Sequence, residues 1–578
     1  MNKTRKELSG IGVCDSIGMG KAVVIRDEKP DYEKNSRLTA DEEKKRYSAA
    51  EKGFQAQLEK IIGYAKKYVG DTEADILESQ LILSRDTSLR KQADEYMEAG
   101  HTAEYALNRV CMKYISSFTD SGEPLLREKA ADMQDILKGM MDMISGGGNI
   151  RPIDIPDGSV IVGQELSPSL ITLLYNKKIL GVVTESGGLT GHAALVARSL
   201  MIPAVFSVKG VTRFVISGQD IIVNGREGRV FINPTEEDKR ISSEKKKSLE
   251  DKLKVLQKYK DLPTRTADGV SCRVMCNIGS VDDFRKAQTS GGEGIGLFRT
   301  EFFFQSHFTE PTEEEQFETY KSVVLGMKEK EVVIRTLDLG GDKIMPIMTR
   351  GSRGRVIQEK NPFLGLRGIR LSLAYRDRFA QQVRAVMRAA VFGNVSMMIP
   401  FVTNIEELRE TRRIISQSAK ELSKEGKEFR EDIPVGIMIE TPSAVLIAPD
   451  LAREADFFSI GSNDLIQYMM CAERDNTNVE YLSSVFEPAV LRCIFEVIGA
   501  AHEQGIRVAI CGEAALEKKL IPLLLAWGID DFSVIPNGVV NARSEIARWK
   551  KTDTEKIAFE VLSMSSRQQI EEYLRALI

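Results

Sequence analysis

The stretch Val435-Gly436-Ile437-Met438-Ile439-Glu440 is a short apolar run that ends in a carboxylate. An unbroken apolar run of this length predicts a β-strand that is buried on both faces, as the strands of parallel sheets are. A charged residue at its end then marks the carboxyl end of the strand. This stretch therefore predicts both a parallel sheet and an edge of that sheet where chemistry can gather.

Seven further runs of this kind alternate with longer helical stretches in the second half of the chain. They are Arg273–Ile278, Gly294–Arg299, Val332–Asp338, Val395–Pro400, Asp456–Ile460, Arg507–Cys511 and Asp531–Val534. Eight repeated βα units predict a (β/α)8 barrel of the TIM type, whose chemistry takes place at the carboxyl ends of the strands. Because 578 residues are too many for one core, we expect this barrel to be the C-terminal part of a multidomain α/β protein.

The polar residues of these runs gather where the strands are expected to end. They are Arg299, Arg335, Glu440, Asn463, Asp464 and Cys511. Arginine binds phosphate and carboxylate oxygens through paired hydrogen bonds, and Mg²⁺ takes one or two carboxylates, here Glu440 and Asp464, with phosphate oxygens and water. We therefore predict a site for a small phosphorylated acid. Two structural alternatives stay open: the arginines form ion pairs, or Glu440 is the buried partner of a salt bridge.

The first half of the chain predicts an α/β domain into which a helical bundle is inserted. Its strand candidates are Ala22–Ile25, Ser159–Val162, Gly181–Thr184, Ala204–Ser207 and Ile221–Val223. Between the first two of these, apolar residues recur at helical spacing from Thr39 to Ile144, as in Leu58, Ile61, Ile62 and Ala65. We expect the α/β domain to comprise residues 1–32 and 146–235, the bundle 33–145, a linker helix 236–262 and the barrel 263–578.

His192 lies in the segment from Gly187 to Pro203, where glycines precede an apolar helical run, Ala193–Ala197. With Thr190 as the helix N-cap, His192 falls in the first turn, beside unpaired backbone N–H groups and the positive end of the helix dipole. Such a position favours an anion, including a phosphoryl group on the imidazole itself. The structural alternative is a histidine that only caps the helix start.

The segment around His192 resembles the phosphohistidine segment of the phosphoenolpyruvate-utilising enzyme family. Within that family the chain is most similar in length and order to the Enzyme I members of the sugar phosphotransferase system. Six further runs carry the same resemblance: Gly296–Phe302, Asp338–Lys343, Asn361–Arg367, Ile439–Pro442, Ser459–Tyr468 and Cys511–Glu513. The chain departs from the family at Gly191, where Ser or Cys is usual, at Ser16, where Pro is usual, and at Gln80, where many members have His.

The resemblance implies that His192 takes the phosphoryl group of phosphoenolpyruvate, releases pyruvate and passes the group to a histidine of the phosphocarrier protein HPr. It also implies roles for the residues of the barrel. Arg299, Arg335, Arg474 and Asn463 would bind substrate, Arg367 would contact the phosphate, Glu440 and Asp464 would hold Mg²⁺ near the substrate, and Cys511 would donate a proton. Dimerisation through the barrel and docking of HPr on the bundle are further expectations from the family. Since His192 and the barrel belong to different domains, the histidine domain would swing on hinges around Gly146–Gly148 and Glu236–Lys260.

The composition narrows the class of protein. A net charge of -4 with 28% charged residues gives no general positive field for nucleic acid. Seven cysteines without a C-x-x-C pair suit reduced thiols better than disulfides or structural zinc. Met1–Glu7 lacks an apolar segment, and the run Leu520–Trp527 is too short to span a bilayer. We therefore expect a cytoplasmic enzyme.

Each alternative function would need sequence features of its own. A dikinase or synthase of the same family requires an ATP-binding domain before the histidine domain, and the preceding sequence offers no glycine loop for phosphate. A regulatory Enzyme I paralogue with an altered carrier partner and low turnover is the main alternative, supported by Gly191, Gln80 and Ser16. A purely structural barrel would leave charged residues at the strand ends as unexplained costs.

Overall fold

The computed structural model describes most of the chain, in two compact units, Met1–Leu253 and Lys254–Ile578. The described residues are 4–25, 32–68, 71–120, 124–145, 155–166, 178–187, 192–305, 310–339, 359–473, 476 and 478–577. The predicted hinge at Gly146–Gly148 lies outside these ranges.

The first unit contains an eight-stranded sheet in the order β1-β8-β7-β3-β4-β5-β6-β2. Its strands are β1 (Lys6–Ser9), β2 (Ile11–Gly12), β3 (Ile17–Ile25), β4 (Ser159–Gly163), β5 (Gly181–Thr184), β6 (Ala204–Phe206), β7 (Asp220–Asn224) and β8 (Arg229–Ile232). Strands β3, β4, β5 and β6 run parallel to one another, and the other pairs are antiparallel. The five predicted strands of this half are confirmed, and the largest difference is that β3 begins at Ile17 instead of Ala22.

Five helices lie between β3 and β4 in the sequence, although these two strands pair directly. They are α1 (Ala40–Tyr68), α2 (Asp71–Ser84), α3 (Thr87–Glu98), α4 (Ala103–Asp120) and α5 (Pro124–Ile144). Leu58, Ile61 and Ile62 are buried in the core of this bundle, as their spacing predicts. The helical bundle is therefore an insertion within the α/β fold.

Three more helices follow within the described part of this unit. They are α6 (His192–Ser199), α7 (Val211–Phe214) and α8 (Glu236–Gln257). Ala194 and Ala197 of α6 are fully buried, which confirms the predicted short buried helix. The strongly charged α8 confirms a helix where the sequence predicts one, within residues 236–262.

The second unit is a closed barrel of eight parallel strands, and the predicted (β/α)8 fold is confirmed. The strands are β9 (Arg273–Ile278), β10 (Gly294–Arg299), β11 (Glu331–Arg335), β12 (Val395–Ile399), β13 (Val435–Ile439), β14 (Phe457–Gly461), β15 (Arg507–Cys511) and β16 (Asp531–Val534). Six buried residues, each from a different strand, form a cluster apart from the main core: Leu297, Val333, Met398, Met438, Phe457 and Cys511. Such side chains fill the interior of a closed barrel, so the barrel has a packed core and no pore.

Helices cover the outside of the barrel and end the chain. They are α9 (Val281–Ser290), α10 (Glu301–Gln305), α11 (Glu313–Met327), α12 (Gly368–Ala374), α13 (Arg376–Ala389), α14 (Ile405–Lys424), α15 (Pro442–Leu446), α16 (Ala448–Ala452), α17 (Ser462–Met470), α18 (Pro488–Glu503), α19 (Ile521–Trp527), α20 (Val539–Ile546), α21 (Lys551–Ser563) and α22 (Arg567–Leu577). Short 3₁₀ turns occupy Pro362–Leu364, Ala390–Phe392, Glu480–Leu482, Glu513–Leu516 and Pro536–Gly538. Among the helices within the described ranges, none is both long enough and apolar enough to cross a bilayer.

Four charged residues close the amino-terminal end of the barrel, each the first residue of its strand. Arg273 donates to Asp531 at 2.6 Å and to Glu331 at 3.0 Å. Arg507 donates to Glu331 at 3.0 Å and to Asp531 at 3.3 Å. Because this end of a TIM-type barrel serves stability, the network ties four strands together away from the candidate site.

Arg543 of α20 is a buried clamp on the chain segments that enter the barrel. Its Nη1 donates to the carbonyl oxygens of Tyr259, at 2.8 Å, and Lys260, in the turn that follows α8. Its Nη2 donates to the carbonyl of Gly291 at 2.8 Å, and its Nε donates to Thr264 Oγ1 at 2.9 Å. The end of the linker is thus fixed to the barrel by hydrogen bonds to a single guanidinium.

Candidate active site

The polar residues predicted from the strand ends do lie at the carboxyl end of the barrel. Arg299, Arg335 and Cys511 are the last residues of β10, β11 and β15. Glu440 directly follows β13, and Asn463 and Asp464 lie in the first turn of α17, which begins directly after β14. Parallel strands of a barrel end on one face, so the fold brings these six residues to the same side.

Arg335 is buried and is oriented by two carboxylates. Its Nη2 donates to Glu301 Oε1 and lies 3.3 Å from Asp338 Oδ2, while its Nη1 contacts Met438 Sδ at 3.5 Å. Burial opposes the charge of the guanidinium, but the carboxylates of Glu301 and Asp338 outweigh it and raise the pKa of Arg335. Among the described residues its buried Nε has no hydrogen-bond partner, so one donor remains for a ligand.

Arg367 directly precedes α12, and its guanidinium lies in the same cluster as that of Arg335. Its Nη2 donates to both oxygens of Asp338 at 3.1 and 3.2 Å, so Asp338 bridges the two arginines. Its Nη1 donates to Tyr468 Oη at 2.9 Å and to Asp464 Oδ1 at 3.3 Å, and the guanidinium carbon lies 4.6 Å from the centre of the Phe401 ring. Its Nε has no hydrogen-bond partner in the described part of the chain. The fold therefore holds two arginines close together through one shared carboxylate.

Glu440 is fully buried, with one oxygen bonded and the other free within the described residues. Its Oε1 accepts from the backbone N–H of Phe401 at 2.7 Å, and Phe401 adopts a left-handed φ of 59°. At Gly461 a Cβ would lie 2.6 Å from Oε2, so only glycine leaves room for this carboxylate. Burial, with the negative charges of Asp464 and Asp338, raises the pKa of Glu440 to about 8. The ionised form is therefore costly here unless a cation lies beside it.

Glu440 and Asp464 fit a magnesium ion better than a softer metal. Both supply carboxylate oxygens, and Mg²⁺ needs only one or two of these when a substrate phosphate and water complete its octahedron. Over the ranges that the structure describes, no group of three or more His, Cys, Asp or Glu side chains converges on a point. The unbonded Glu440 Oε2 is the observation that favours a cation at this position.

Cys511 and Asn463 line the same end of the barrel. The Cys511 thiol is buried and donates to the carbonyl of Ile460 at 3.4 Å, and burial raises its pKa. Asn463 Oδ1 accepts from the backbone N–H of Glu513 at 3.3 Å. Gly512, at a φ of 92°, leaves no space for a Cβ beside Ser462 and Asn463. The buried thiol is thus a protonated group at neutral pH, as a proton donor must be.

The remaining predicted site residues are Arg299, Arg474 and His192. Arg299 is half-buried at its strand end. Arg474 lies outside the described residues, as do Thr190 and Gly191. His192 is the first residue of α6, which confirms its position at the helix start.

Three protein-family models, all of phosphoenolpyruvate (PEP)-utilising enzymes, match successive parts of the chain. They are the N-terminal domain over residues 9–129, the mobile domain over 155–228 and the PEP-binding domain over 254–551. Among curated relatives, the phosphoenolpyruvate-protein phosphotransferase of Priestia megaterium is 37% identical over 572 residues, 99% of either chain. Those of Listeria innocua serovar 6a and Bacillus subtilis (strain 168) are 38% and 36% identical and cover 98% and 99% of either chain. The chain belongs to the PEP-utilising enzyme family.

As a PEP-utilising enzyme, the chain carries its candidate residues in two of the matched parts. His192 falls within the residues matched by the mobile-domain model, and Arg299, Arg335, Arg367, Glu440 and Cys511 fall within those of the PEP-binding domain. The family predicted from the motifs is therefore confirmed.

The sequence analysis assigns no role to four residues that organise this candidate site: Glu301, Asp338, Phe401 and Tyr468. Glu301 and Asp338 lie two and three residues after the ends of β10 and β11, so extending the strand-end signal by a few residues would have found them. No local signal marks Phe401, because its role depends on a backbone N–H that meets a carboxylate 39 residues away. Tyr468 lies four residues after Asp464 on α17, which places both on the same helix face.

Proposed function

We propose that the chain catalyses transfer of the phosphoryl group of phosphoenolpyruvate to its own His192, with release of pyruvate, and then on to a histidine of the carrier protein HPr. This is the first step of sugar uptake by the phosphotransferase system. The observation that carries the proposal is the pair of buried arginines bridged by Asp338 beside Glu440, in a chain that matches named phosphoenolpyruvate-protein phosphotransferases from end to end.

The arginines bind and orient the substrate. Arg335 and Arg367 turn their Nη atoms to carboxylates and keep a buried Nε for a ligand, while Arg299, Arg474 and Asn463 complete the contacts to phosphate and carboxylate. Glu440 and Asp464 would hold Mg²⁺, which supplies charge neutralisation at the phosphate when bound. Because carboxylates already hold Arg335 and Arg367 in place, these two arginines need little reorganisation during the reaction.

The chemical step is an in-line displacement at phosphorus. A ring nitrogen of His192 forms the new P–N bond, the P–O bond to the enol carbon breaks, and its electron pair stays on the departing enolate oxygen. The thiol of Cys511 donates its proton to the methylene carbon of the enolate, which gives pyruvate. The thiolate then regains a proton from solvent.

His192 and the arginines belong to different compact units of the chain, so transfer requires a contact between residues of both units. We place the domain boundaries as the sequence suggests: an α/β domain of residues 1–32 and 146–235, an inserted bundle 33–145, a linker 236–262 and a barrel 263–578. The pivots lie around Gly146–Gly148 and within Glu236–Lys260.

The inserted bundle is the docking domain for HPr. Gln80, the departure from the family on α2, is buried and donates to Asp132 at 3.3 Å and Asp135 at 3.1 Å on α5. This substitution thus lies inside the bundle, where it joins two helices, and is compatible with an unchanged outer surface. The enzyme acts in the cytoplasm as a homodimer joined through the barrel; its seven free thiols support the reducing compartment.

The test is the intact mass of the protein after addition of phosphoenolpyruvate and Mg²⁺. We expect one acid-labile phosphoryl group on the unaltered chain and on a His502→Ala control, and none on His192→Ala. His502 is exposed and pairs with Asp530 at 3.1 Å, so its loss should leave phosphorylation intact. Absence of the adduct from the unaltered chain, with and without a carrier, refutes the proposal and favours the regulatory paralogue.

A further inference from the structure

Tyr468 lies on α17, four residues after Asp464, and links this helix to the loop that carries Arg367. Its hydroxyl oxygen accepts from Arg367 Nη1 at 2.9 Å, and the hydroxyl donates to the carbonyl of Phe363 at 2.6 Å. The Tyr468 ring packs edge-on against Phe401 with ring centres 5.4 Å apart. Both polar functions of the hydroxyl are therefore used, and both go to the segment from Phe363 to Arg367.

The same Arg367 nitrogen has a second acceptor in Asp464, and the two contacts differ in length. Nη1 lies 2.9 Å from the Tyr468 oxygen and 3.3 Å from Asp464 Oδ1. An unrestrained arginine–carboxylate pair closes to about 2.7–2.9 Å and is often bidentate. Here the neutral hydroxyl takes the shorter bond, and the charge pair is the longer of the two contacts.

A long Arg367–Asp464 pair matters for the cation site. A carboxylate that closes on a guanidinium gives up lone pairs that a metal would otherwise use. Asp464 keeps 21% of its side chain exposed, whereas Glu440 is fully buried. Asp464 is thus the carboxylate with space for a cation, provided that Arg367 is held away from it.

We propose that Tyr468 is a positioning residue. Its hydroxyl, bonded to the Phe363–Arg367 loop, keeps the guanidinium of Arg367 from closing on Asp464 and thereby leaves Asp464 available for the divalent cation. The inference rests on the proposed function for the roles of Arg367 and Asp464. In this role Tyr468 itself contacts neither the substrate nor the metal. Its effect on both is transmitted through one hydrogen-bonded guanidinium.

The test compares Tyr468→Phe with the unaltered chain and with Tyr320→Phe. Tyr320, on α11, is fully buried, and its hydroxyl is hydrogen-bonded to Gln382 at 3.1 Å and to Gln316 at 3.3 Å rather than to Arg367. Two quantities are measured: the KM and kcat for phosphoenolpyruvate, and the dissociation constant of Mn²⁺ from the substrate-free protein by electron paramagnetic resonance. The thermal midpoint of each variant reports on folding.

For Tyr468→Phe we expect KM for phosphoenolpyruvate and the Mn²⁺ dissociation constant each to rise about tenfold, as loss of one hydrogen bond to a charged group predicts. The kcat should stay within about twofold, because only binding contacts change. In Tyr320→Phe both constants should remain at their original values.

Three results overturn the proposal. Unchanged Mn²⁺ binding in Tyr468→Phe, with or without a rise in KM, shows that the hydroxyl does not govern Asp464. A fall in kcat at constant KM shows that the hydroxyl acts in the reaction itself. Equal losses in both variants, in step with their thermal midpoints, show a merely structural role. Since Mn²⁺ binding needs no substrate, it tests Tyr468 even if the unaltered chain forms no phosphohistidine, in which case the proposed function alone fails.

Discussion

At the scale of single residues, the site consists of arginines that carboxylates orient but do not fully occupy. Arg335 and Arg367 share Asp338, and each retains a buried Nε without a partner among the described residues. An ion pair formed only for stability would use every donor, because an unpaired buried donor is costly. The spare donors are what an anion-binding site needs before its ligand arrives.

Arg335→Lys should lower kcat/KM for phosphoenolpyruvate by about 10²-fold or more, because lysine keeps the charge but loses the planar fork. Arg335→Ala should cost about 10³-fold or more. The matched control is Arg376→Lys, whose side chain is 60% exposed and pairs with Glu410 on the surface. A loss below tenfold in Arg335→Ala would remove this residue from the active site.

Residue-level prediction from sequence succeeds where a side chain ends an apolar strand and fails where a backbone group acts. Arg299, Arg335, Glu440 and Cys511 could be placed at one end of the barrel because each directly follows or ends a run of buried residues. The bond from the Phe401 N–H to Glu440 could not, since it depends on how two loops meet in space. Contacts of this kind appear only once the chain is folded.

At the scale of elements, the barrel strands could be read almost directly from the sequence. Arg273–Ile278, Gly294–Arg299, Arg507–Cys511 and Asp531–Val534 have the predicted bounds, because a strand buried on both faces is a continuous apolar run. The strand predicted as Val332–Asp338 ends three residues early, at Arg335. Residues 336–339 are buried without being part of the sheet, so their burial does not distinguish strand from loop.

The contact between α2 and α5 should make the stability of the first unit depend on pH. Burial raises the pKa of Asp135 to about 6, above the value of about 3.9 for an unfolded chain. Between these values the folded state keeps a proton that the unfolded state loses, so stability falls as pH rises towards 6 and stays lower above it. Asp135→Asn, which keeps an acceptor for Gln80, should therefore stabilise the unit by about 1–3 kcal/mol at pH 7.5.

Chemical denaturation of this variant and of the unaltered chain at pH 5.0 and pH 7.5 measures the effect. The advantage of Asp135→Asn should shrink at the lower pH, where the native carboxyl is already protonated. Asp94→Asn on α3, which removes a carboxylate that pairs with Arg90, is the control. An advantage of equal size at both pH values would contradict the prediction.

At the scale of the whole molecule, the two compact units should respond differently to substrate. The residues proposed to bind phosphoenolpyruvate all lie in Lys254–Ile578, and ligand binding stabilises only the unit that holds the ligand. In a His192→Ala chain, which cannot accept the phosphoryl group, phosphoenolpyruvate with Mg²⁺ at about 100 times its dissociation constant should stabilise the barrel by about 2.7 kcal/mol.

Hydrogen exchange followed by mass spectrometry separates the two units within one experiment. Peptides from β10, β11, β13 and α17 should exchange more slowly with ligand, and peptides from α1–α5 should exchange at the same rate. Pyruvate alone, which lacks the phosphate, is the matched ligand control and should give weaker protection. Protection confined to the bundle would place the substrate outside the barrel.

The clamp formed by Arg543 has a mechanical consequence for the linker helix. Helix α8 has 22 residues, so it is about 33 Å long at 1.5 Å per residue, and the turn that follows it is fastened to the barrel through Tyr259 and Lys260. A rigid-body rotation of the helix would therefore take place about the end that Arg543 fixes. A tilt of about 10° at this end displaces the far end by about 6 Å for an arm of this length. A small rotation of the helix at this fixed end would thus displace its other end by about the length of one helical turn.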